Sequence, residues 1–179
     1  ALYKFTKNYN YKETFLQSFE YEKSLFNKKE ENWLVLSDDG DYYGNSMWCH
    51  GAAGIGMSRI MMSEYYNSHD LKNDIEIAIR QTLKSGFGGT HCLCHGDLGN
   101  LDLFLLASSK FKNEEMKETA LKIGEYIASD ITYGNLKYGT PSGTKNLGLM
   151  LGQAGIGYGF LRLAYPEIVP SVLTLQLNH

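Results

Sequence analysis

Proline is scarce in this chain, with 3 among 179 residues, so little in the sequence interrupts helices. Blocks of lysine or arginine are missing and the formal net charge is -3, which leaves no positive field to hold phosphate groups. We therefore expect no nucleic acid and no anionic membrane among the partners. The uncharged runs are much shorter than a bilayer requires, so the sequence predicts no membrane span.

Cysteine occurs in an odd number, as Cys49, Cys92 and Cys94. The disulfide frameworks of small secreted proteins usually use even numbers, so reduced thiols that serve a metal or a reaction are the better interpretation. An apolar segment with a basic start does not open the chain, which favours a cytoplasmic protein. The first residues, ALYKF, resemble the end of a helix already under way, so we expect the chain to be a piece of a larger protein.

A glycine-rich pattern recurs at intervals of roughly 50 residues, starting at Gly51, Gly96 and Gly152. Each copy leads into a short stretch that is apolar on nearly all sides, at residues 55–62, 101–107 and 156–164. Helices of this kind are enclosed by protein. The segments between them carry an apolar stripe at helical spacing and are predicted to meet water on one side.

Inner and outer helices therefore alternate along the chain, with Phe19 and Phe26 assigned to the first outer helix. A comparable series of strand-like stretches is absent, and the prediction is an all-α fold with two layers. Because the inner helices all begin at glycines, which permit tight turns, the loops that precede them should gather at one end. Two long irregular stretches, 27–46 and 133–145, are expected near that end, where long loops are often functional.

Two of the three copies carry a cysteine and a histidine directly ahead of the glycine, in WCHG at 48–51 and LCHG at 93–96. Cys49 and Cys94 are equivalent in the repeat, so neighbouring helices that start at one end would bring their sulfurs together. His95 adds an imidazole, while the third copy offers only Leu151 at the matching place. Two thiolates and one imidazole suit zinc, and three protein ligands leave a fourth position open for chemistry.

His50 has several interpretations on sequence grounds. It is equivalent to His95 in the repeat and is therefore an alternative ligand. It is also a candidate acid or base, or a turn residue that donates to a loop carbonyl. His91 and Cys92 lie nearby in the sequence and are further candidates for metal ligands. Cys92 is interpreted as a plain thiol because the first copy has no counterpart to it.

Other polar side chains near these motifs have simpler interpretations. Asp97 and Asn100 follow the LCHG motif at 93–96. They either orient a metal ligand or cap the inner helix, and we favour the cap. The acidic run Asp38–Asp41 lacks the closing glutamate of a calcium-binding loop and is predicted to be a solvated turn.

The motifs SMWCHGAAGIG (46–56), LCHGDLGN (93–100) and GLMLGQAGIGYG (148–159) resemble, in this order, the carboxy-terminal part of the lanthionine cyclase domain. They are most similar to the variant found in class II lanthipeptide (lantibiotic) synthetases. The segment from Tyr21 to Trp33 is similar to the one that precedes the first zinc motif of the family, and 162–171 is similar to the end of such enzymes. The resemblance spans nearly the whole chain.

The resemblance implies an α/α toroid of seven helical hairpins, of which about three are present here. Residues 1–179 would form a single partial cyclase domain at the carboxy-terminal end of a larger protein. The remainder of the synthetase, or self-association, would then cover the apolar flanks of this part. The resemblance also implies that zinc is held by Cys49, Cys94 and His95, and that His50 lies near the reacting centre as a catalytic residue.

The implied activity is that of a zinc-dependent cyclase in lantibiotic biosynthesis. A cysteine of a dehydrated precursor peptide would add, as its thiolate, to dehydroalanine or dehydrobutyrine and close a thioether ring. Zinc would lower the pKa of the substrate thiol, and His50 is the candidate that would protonate the enolate formed. The alternatives are a cyclase-like zinc protein that binds glutathione or a peptide thiol without ring closure, and a metal-free helical toroid that acts on sugars or serves as a structural repeat.

Overall fold

The computed structural model describes residues 2–37 and 39–175, apart from the side chains of Lys4 and Phe5. It has seven α-helices: α1 (Leu2–Thr6), α2 (Tyr9–Ser24), α3 (Ala52–Met62), α4 (His69–Ser85), α5 (Asp97–Phe111), α6 (Glu114–Thr132) and α7 (Gln153–Ala164). A short 3-10 helix follows at Val172–Thr174. Among these helices, none is both long enough and apolar enough to cross a membrane.

Helices α3, α5 and α7 form an inner layer, and α2, α4 and α6 lie outside it. Every residue of α5 from Asp97 to Ala107 is buried, because α3, α6 and α7 pack around this helix. By contrast, α4 buries only its apolar stripe, which includes Leu71, Ile75 and Ala78. The predicted all-α fold with two layers, a partial helical toroid, is confirmed.

The two layers also differ in how their helices begin. The outer helices start after Asn8, Ser68 and Asn113, whose side-chain oxygens accept hydrogen bonds from amides of the first turn. The inner helices start after Gly51, Gly96 and Gly152, none of which provides a side-chain cap. The polar ends of the inner helices must therefore be satisfied by the surrounding chain rather than by their own caps.

Part of the stretch predicted to be irregular is a small antiparallel sheet with the strand order β1-β2-β3. Its strands are β1 (Phe26–Asn27), β2 (Asn32–Leu36) and β3 (Tyr42–Gly44). The assignment of Phe26 to the first outer helix is wrong, because α2 ends at Ser24 and Phe26 pairs with Trp33 across the strands. Their rings lie 5.1 Å apart, and Trp33 is buried against Ile77 and Ala78 of α4. The packing of these two rings across the β1–β2 pair therefore takes the place of a further helical turn at the end of α2.

The turn predicted at 38–41 connects β2 to β3. The amide of Ser37 donates to the carbonyl of Asp41 at 2.7 Å, and Gly40 has a φ of 87°, a conformation that favours glycine. Asp38 lies outside the described residues.

One glycine position is shared by all three inner helices because of a close approach of the backbone. A Cβ atom on Gly54 would lie 2.0 Å from the carbonyl oxygen of Trp48. The same atom would lie 1.9 Å from Leu93 O at Gly99 and 1.7 Å from Leu149 O at Gly155. Each preceding loop therefore packs directly on the first turn of its helix, and any side chain at this position would displace the loop.

A buried ion pair holds the last inner helix to the middle one. Arg162 Nε of α7 donates to Asp102 Oδ1 of α5 at 2.9 Å, and both side chains are buried. The other Asp102 oxygen accepts from Ser171 Oγ, and Arg162 Nη1 donates to the carbonyls of Pro166 and Val169. The segment after α7 is thereby attached to the core. Arg59 of α3 makes a similar connection to Asp74 of α4 at 3.0 Å and to Glu22 of α2 at 2.5 Å.

The buried pair predicts a large stability effect. We expect Asp102→Ala to lower the free energy of unfolding by about 3–5 kcal/mol, because it leaves the Arg162 guanidinium buried without its counter-ion. Urea denaturation followed by circular dichroism measures this change. As the matched control, Arg80→Gln removes the exposed Arg80–Glu31 pair of 3.0 Å and should change stability by less than about 0.5 kcal/mol. Equal effects of the two substitutions would contradict the assignment.

Candidate metal centre

Main-chain hydrogen bonds join the loops that precede the three inner helices. The amide of Cys49 donates to the carbonyl of Cys94 at 3.3 Å, and the amide of Cys94 donates to the carbonyl of Met150 at 3.0 Å. These three residues occupy the same place in the repeat, two positions ahead of the glycine. The loops therefore gather at one end, as predicted, and are aligned in register.

This register brings three potential ligand atoms together. The sulfurs of Cys49 and Cys94 and a ring nitrogen of His95 all lie within 4.8 Å of one another. All three residues are partly buried, so the group is neither fully enclosed nor fully exposed. Two sulfurs and one imidazole nitrogen are a donor set that zinc prefers, and their separation is within reach of a single ion after small side-chain movements. The residues present thus fit the metal that the family resemblance implies.

The thiol of Cys49 responds strongly to its surroundings. Burial, together with the hydrogen bond and the charge of the neighbouring Cys94, raises its pKa to about 12. A cysteine in this environment remains protonated at neutral pH unless a cation compensates the charge of the thiolate. The pair of cysteines is therefore suited to a cation and poorly suited to stand as two free thiolates.

His50 lies beside the group without belonging to it. Its Nδ1 atom is 3.8 Å from the Cys49 sulfur, and its side chain is exposed. Among the described residues, the cluster that could hold a metal contains His95 and not His50. Of the two equivalent histidines, His95 points toward both sulfurs, whereas His50 is next to one of them and open to solvent.

Asp97 and Asn100 have different partners from those predicted. Neither caps the inner helix, because Gly96 occupies the cap position of α5. Asp97 Oδ1 accepts from the amides of Gly88 and Gly89, while burial raises the pKa of this carboxyl group. Asn100 Nδ2 donates to the carbonyls of Ser46, at 2.7 Å, and Gly86, at 2.6 Å. Both side chains therefore fasten loops around the centre, and these contacts form only after the helices have packed.

His91 serves the second long loop. Its ring is buried, Nδ1 accepts from the amide of Lys137 at 3.3 Å, and Nε2 lies 3.3 Å from Asp130 Oδ2. Burial lowers the pKa of His91, which favours the neutral ring that this pattern of one acceptor and one donor requires. The amide of His91 also donates to the carbonyl of Lys137 at 3.0 Å. The loop after α6 is thus fixed at residue 137.

Two residues further along, the same loop reaches the centre. A Cβ atom on Gly139 would lie 2.5 Å from the Cys92 sulfur and 3.1 Å from His95 Nε2. The amide of Gly139 donates to the carbonyl of Leu151 at 2.8 Å, which attaches the loop to the third copy of the repeat. The loop therefore forms a wall against the His95 ring, and only a residue without a side chain fits there.

Cys92 is buried and lies 3.3 Å from Thr90 Oγ1, outside the cluster of Cys49, Cys94 and His95. Its interpretation as a plain thiol agrees with this position. Sequence reasoning did not identify Gly139 or the anchoring role of His91. The closest signal was the expectation that the stretch 133–145 lies near the preceding loops, which the contacts of Lys137 and Gly139 bear out.

A pocket of about 300 Å³ borders Cys49 and His50. The end of α2, the small sheet, the loop that contains Cys49 and His50, and the start of α3 enclose it. Its walls are mainly apolar, and they include Cys49 and His50 as well as Tyr21, Glu22, Leu25, Trp33, Leu34, Val35, Leu36, Tyr42, Gly51 and Ile55. The size is at the lower end of the range for small-molecule sites.

Comparison with known proteins connects this geometry to a family. The family described as "Lanthionine synthetase C-like protein" matches residues 1–174. A curated relative, the "Lacticin 481/lactococcin biosynthesis protein LcnDR2" of Lactococcus lactis subsp. lactis, is 31% identical over 173 residues. The match covers 89% of this chain and 18% of the relative, so the chain spans less than a fifth of the length of that protein. Because this match covers nearly the whole chain, the chain belongs to the lanthionine synthetase C-like family.

Proposed function

We propose that this chain carries the zinc centre of a lanthionine cyclase that closes thioether rings in lantibiotic biosynthesis. The observation that carries the proposal is the convergence of Cys49, Cys94 and His95 from two successive repeats, with ligand atoms within 4.8 Å of one another. The relation to a lantibiotic biosynthesis protein supports a dehydrated precursor peptide as the substrate.

When bound, zinc supplies a coordination position at which a peptide thiol is held as its thiolate near neutral pH. Cys49 and Cys94 contribute two negative charges as ligands, and His95 contributes none. The charge of a divalent cation is thereby balanced by the protein alone. Cys49, Cys94 and His95 would hold the ion, and the two ligand thiolates would leave a substrate thiolate electron-rich enough to act as a nucleophile.

The addition conserves the atoms of the peptide, because the substrate thiol gives up one proton to the solvent and the α-carbon takes up one proton from a protein acid. The sulfur bonds to the β-carbon of dehydroalanine or dehydrobutyrine, the carbon–carbon double bond becomes an enolate, and the α-carbon then takes up a proton. His50 is our candidate for the proton donor, because its exposed ring lies 3.8 Å from Cys49 Sγ and so borders the place where the sulfur would react.

The proposal also concerns which part of the protein forms the active unit. We propose that the chain acts as one partial cyclase domain, with the remainder of a synthetase completing the toroid, and that it functions in the cytoplasm. Exposed apolar side chains on α7 and directly after it support a covering partner, since Leu161 and Tyr165 are more than half exposed. Self-association of the chain is the alternative way to cover this flank.

The ligand assignment predicts which cysteines are required for zinc binding. Cys49→Ala and Cys94→Ala should each abolish stoichiometric zinc, because two remaining ligands do not hold the ion firmly. Elemental analysis of the purified proteins gives the zinc content per chain. Cys92→Ala is the matched control and should keep its zinc, since this third thiol lies outside the cluster. Full zinc occupancy in either of the first two variants would refute the assignment.

Ring closure predicts the disappearance of thiols without a change in peptide mass. The full-length zinc-loaded protein is incubated with a dehydrated peptide that contains cysteine, and the remaining thiols are alkylated and counted by mass spectrometry. We expect alkylated thiols to vanish with the wild type and to persist with Cys94→Ala. Thiols that persist with the zinc-loaded wild type would reject the cyclase reaction and favour a protein that only binds thiols.

The proposed proton transfer separates His50 from the ligands. His50→Gln should keep stoichiometric zinc and slow ring closure by about 100-fold or more, which is the usual contribution of a general acid. The control is His69→Gln, at an exposed histidine that begins α4. Loss of zinc in His50→Gln would instead make this residue a ligand, and an unchanged rate would remove it from the mechanism.

A further inference from the structure

The pocket beside Cys49 lies where a substrate would extend from the centre. Cys49 and His50 form one part of its wall, so the pocket lies within reach of the residues adjacent to a peptide sulfur placed next to Cys49. The opposite wall comes from the small sheet, which holds Trp33 at 3% exposure. A pocket that shares a wall with the reacting centre is positioned to bind the neighbours of the reacting residue.

The residues that line the pocket indicate which kind of ligand it binds. Leu25, Leu34, Val35 and Ile55 present aliphatic surface. Glu22 is the one carboxylate among the lining residues, and its Oε2 is already paired with Arg59 Nη1 at 2.5 Å. Arg59 also pairs with Asp74, so one guanidinium serves two carboxylates, while most of the other residues that line the pocket are aliphatic or aromatic. A neutral, apolar side chain is the ligand that these walls favour.

The rim of the pocket is apolar as well. Leu36 and Tyr42 form a register pair across β2 and β3, and each is 57% exposed. Large side chains at this level of exposure contribute apolar surface that a ligand would cover. Their position at the mouth extends the apolar wall outward from Trp33.

We propose that this pocket is a specificity subsite that binds the apolar side chain adjacent to the reacting cysteine of the peptide. The inference rests on the proposed function, because it takes the reacting cysteine to be held beside Cys49. It adds that the protein discriminates among the cysteines of a substrate by their neighbours. Cysteines flanked by leucine or an aromatic residue are bound in preference to those flanked by glycine.

Binding of two short peptides tests the subsite without requiring ring closure. Acetyl-Leu-Cys-Leu-amide and acetyl-Gly-Cys-Gly-amide are titrated into the full-length zinc-loaded protein by calorimetry. The wild type should bind the leucine peptide at least about tenfold more tightly, the order expected for burying one such side chain. In the double variant Leu36→Ser, Tyr42→Ser, this preference should fall below about threefold, while zinc content stays unchanged.

The control is the double variant Leu121→Ser, Tyr126→Ser, which removes a leucine and a tyrosine that are 42% and 63% exposed on the outer helix α6. It should keep the full preference. The single variant Leu36→Ser is measured in parallel, so that the test does not depend on the folding of the double variant.

Two results overturn the subsite. One is a wild type that does not distinguish the two peptides, as expected if another segment of the full-length protein fills the pocket. The other is a preference that survives in the rim variants. If the leucine preference is present and depends on the rim, but no thioether ring forms, the subsite stands and the proposed cyclase reaction fails.

Discussion

The main-chain ladder that links the loops ahead of the inner helices is the constraint from which the candidate metal centre follows. Cys49 donates to Cys94, and Cys94 donates to Met150, at equivalent places of three successive repeats. Because amides and carbonyls make these bonds, the ladder continues through the third copy even though Met150 replaces the cysteine there. Neighbouring repeats are thereby held at the same level, and side chains of equivalent residues become neighbours in space. Two sulfurs and an imidazole meet because the backbone has already aligned the loops that carry them.

The ladder depends in turn on how closely each loop approaches its own helix. At Gly54, Gly99 and Gly155 the carbonyl of the residue six positions earlier lies where a Cβ atom would be. A side chain at any of these places would lift the loop and break its alignment with the next. This close packing also explains why the inner helices have no polar caps of their own. Main-chain groups of their first turns are satisfied by the loops, as when the amides of Gly54 and Gly99 donate to the carbonyls of Met47 and Cys92.

The surroundings of the centre are built from buried polar contacts that hold loops rather than from the ligands themselves. Asn100 connects the loop before α3 to the end of α4, and His91 fixes the loop after α6 so that Gly139 lies against His95. One side of the centre is closed by this loop. The other side opens, next to Cys49, into the apolar pocket that the small sheet completes. The candidate centre is therefore bordered by a hydrogen-bonded loop next to His95 and by an apolar pocket next to Cys49.

The sequence by itself determined the alternation of enclosed and amphipathic helices and the approach of Cys49 to Cys94, because both follow from local periodicity and from the repeat. The choice of His95 over His50 came from the family resemblance, since the repeat makes the two histidines equivalent. The sequence did not reveal the sheet, although the short run at β2 followed by Asp39 and Gly40 is typical of a hairpin. Tertiary structure alone decided that Asp97 and Asn100 bind loops instead of capping α5, that Gly139 borders the His95 ring, and that a pocket adjoins Cys49. The physical reason is that these contacts join residues far apart in the chain. Hydrogen bonds and van der Waals contacts of that kind depend on how the helices pack, whereas helical periodicity is a property of each segment of the sequence by itself.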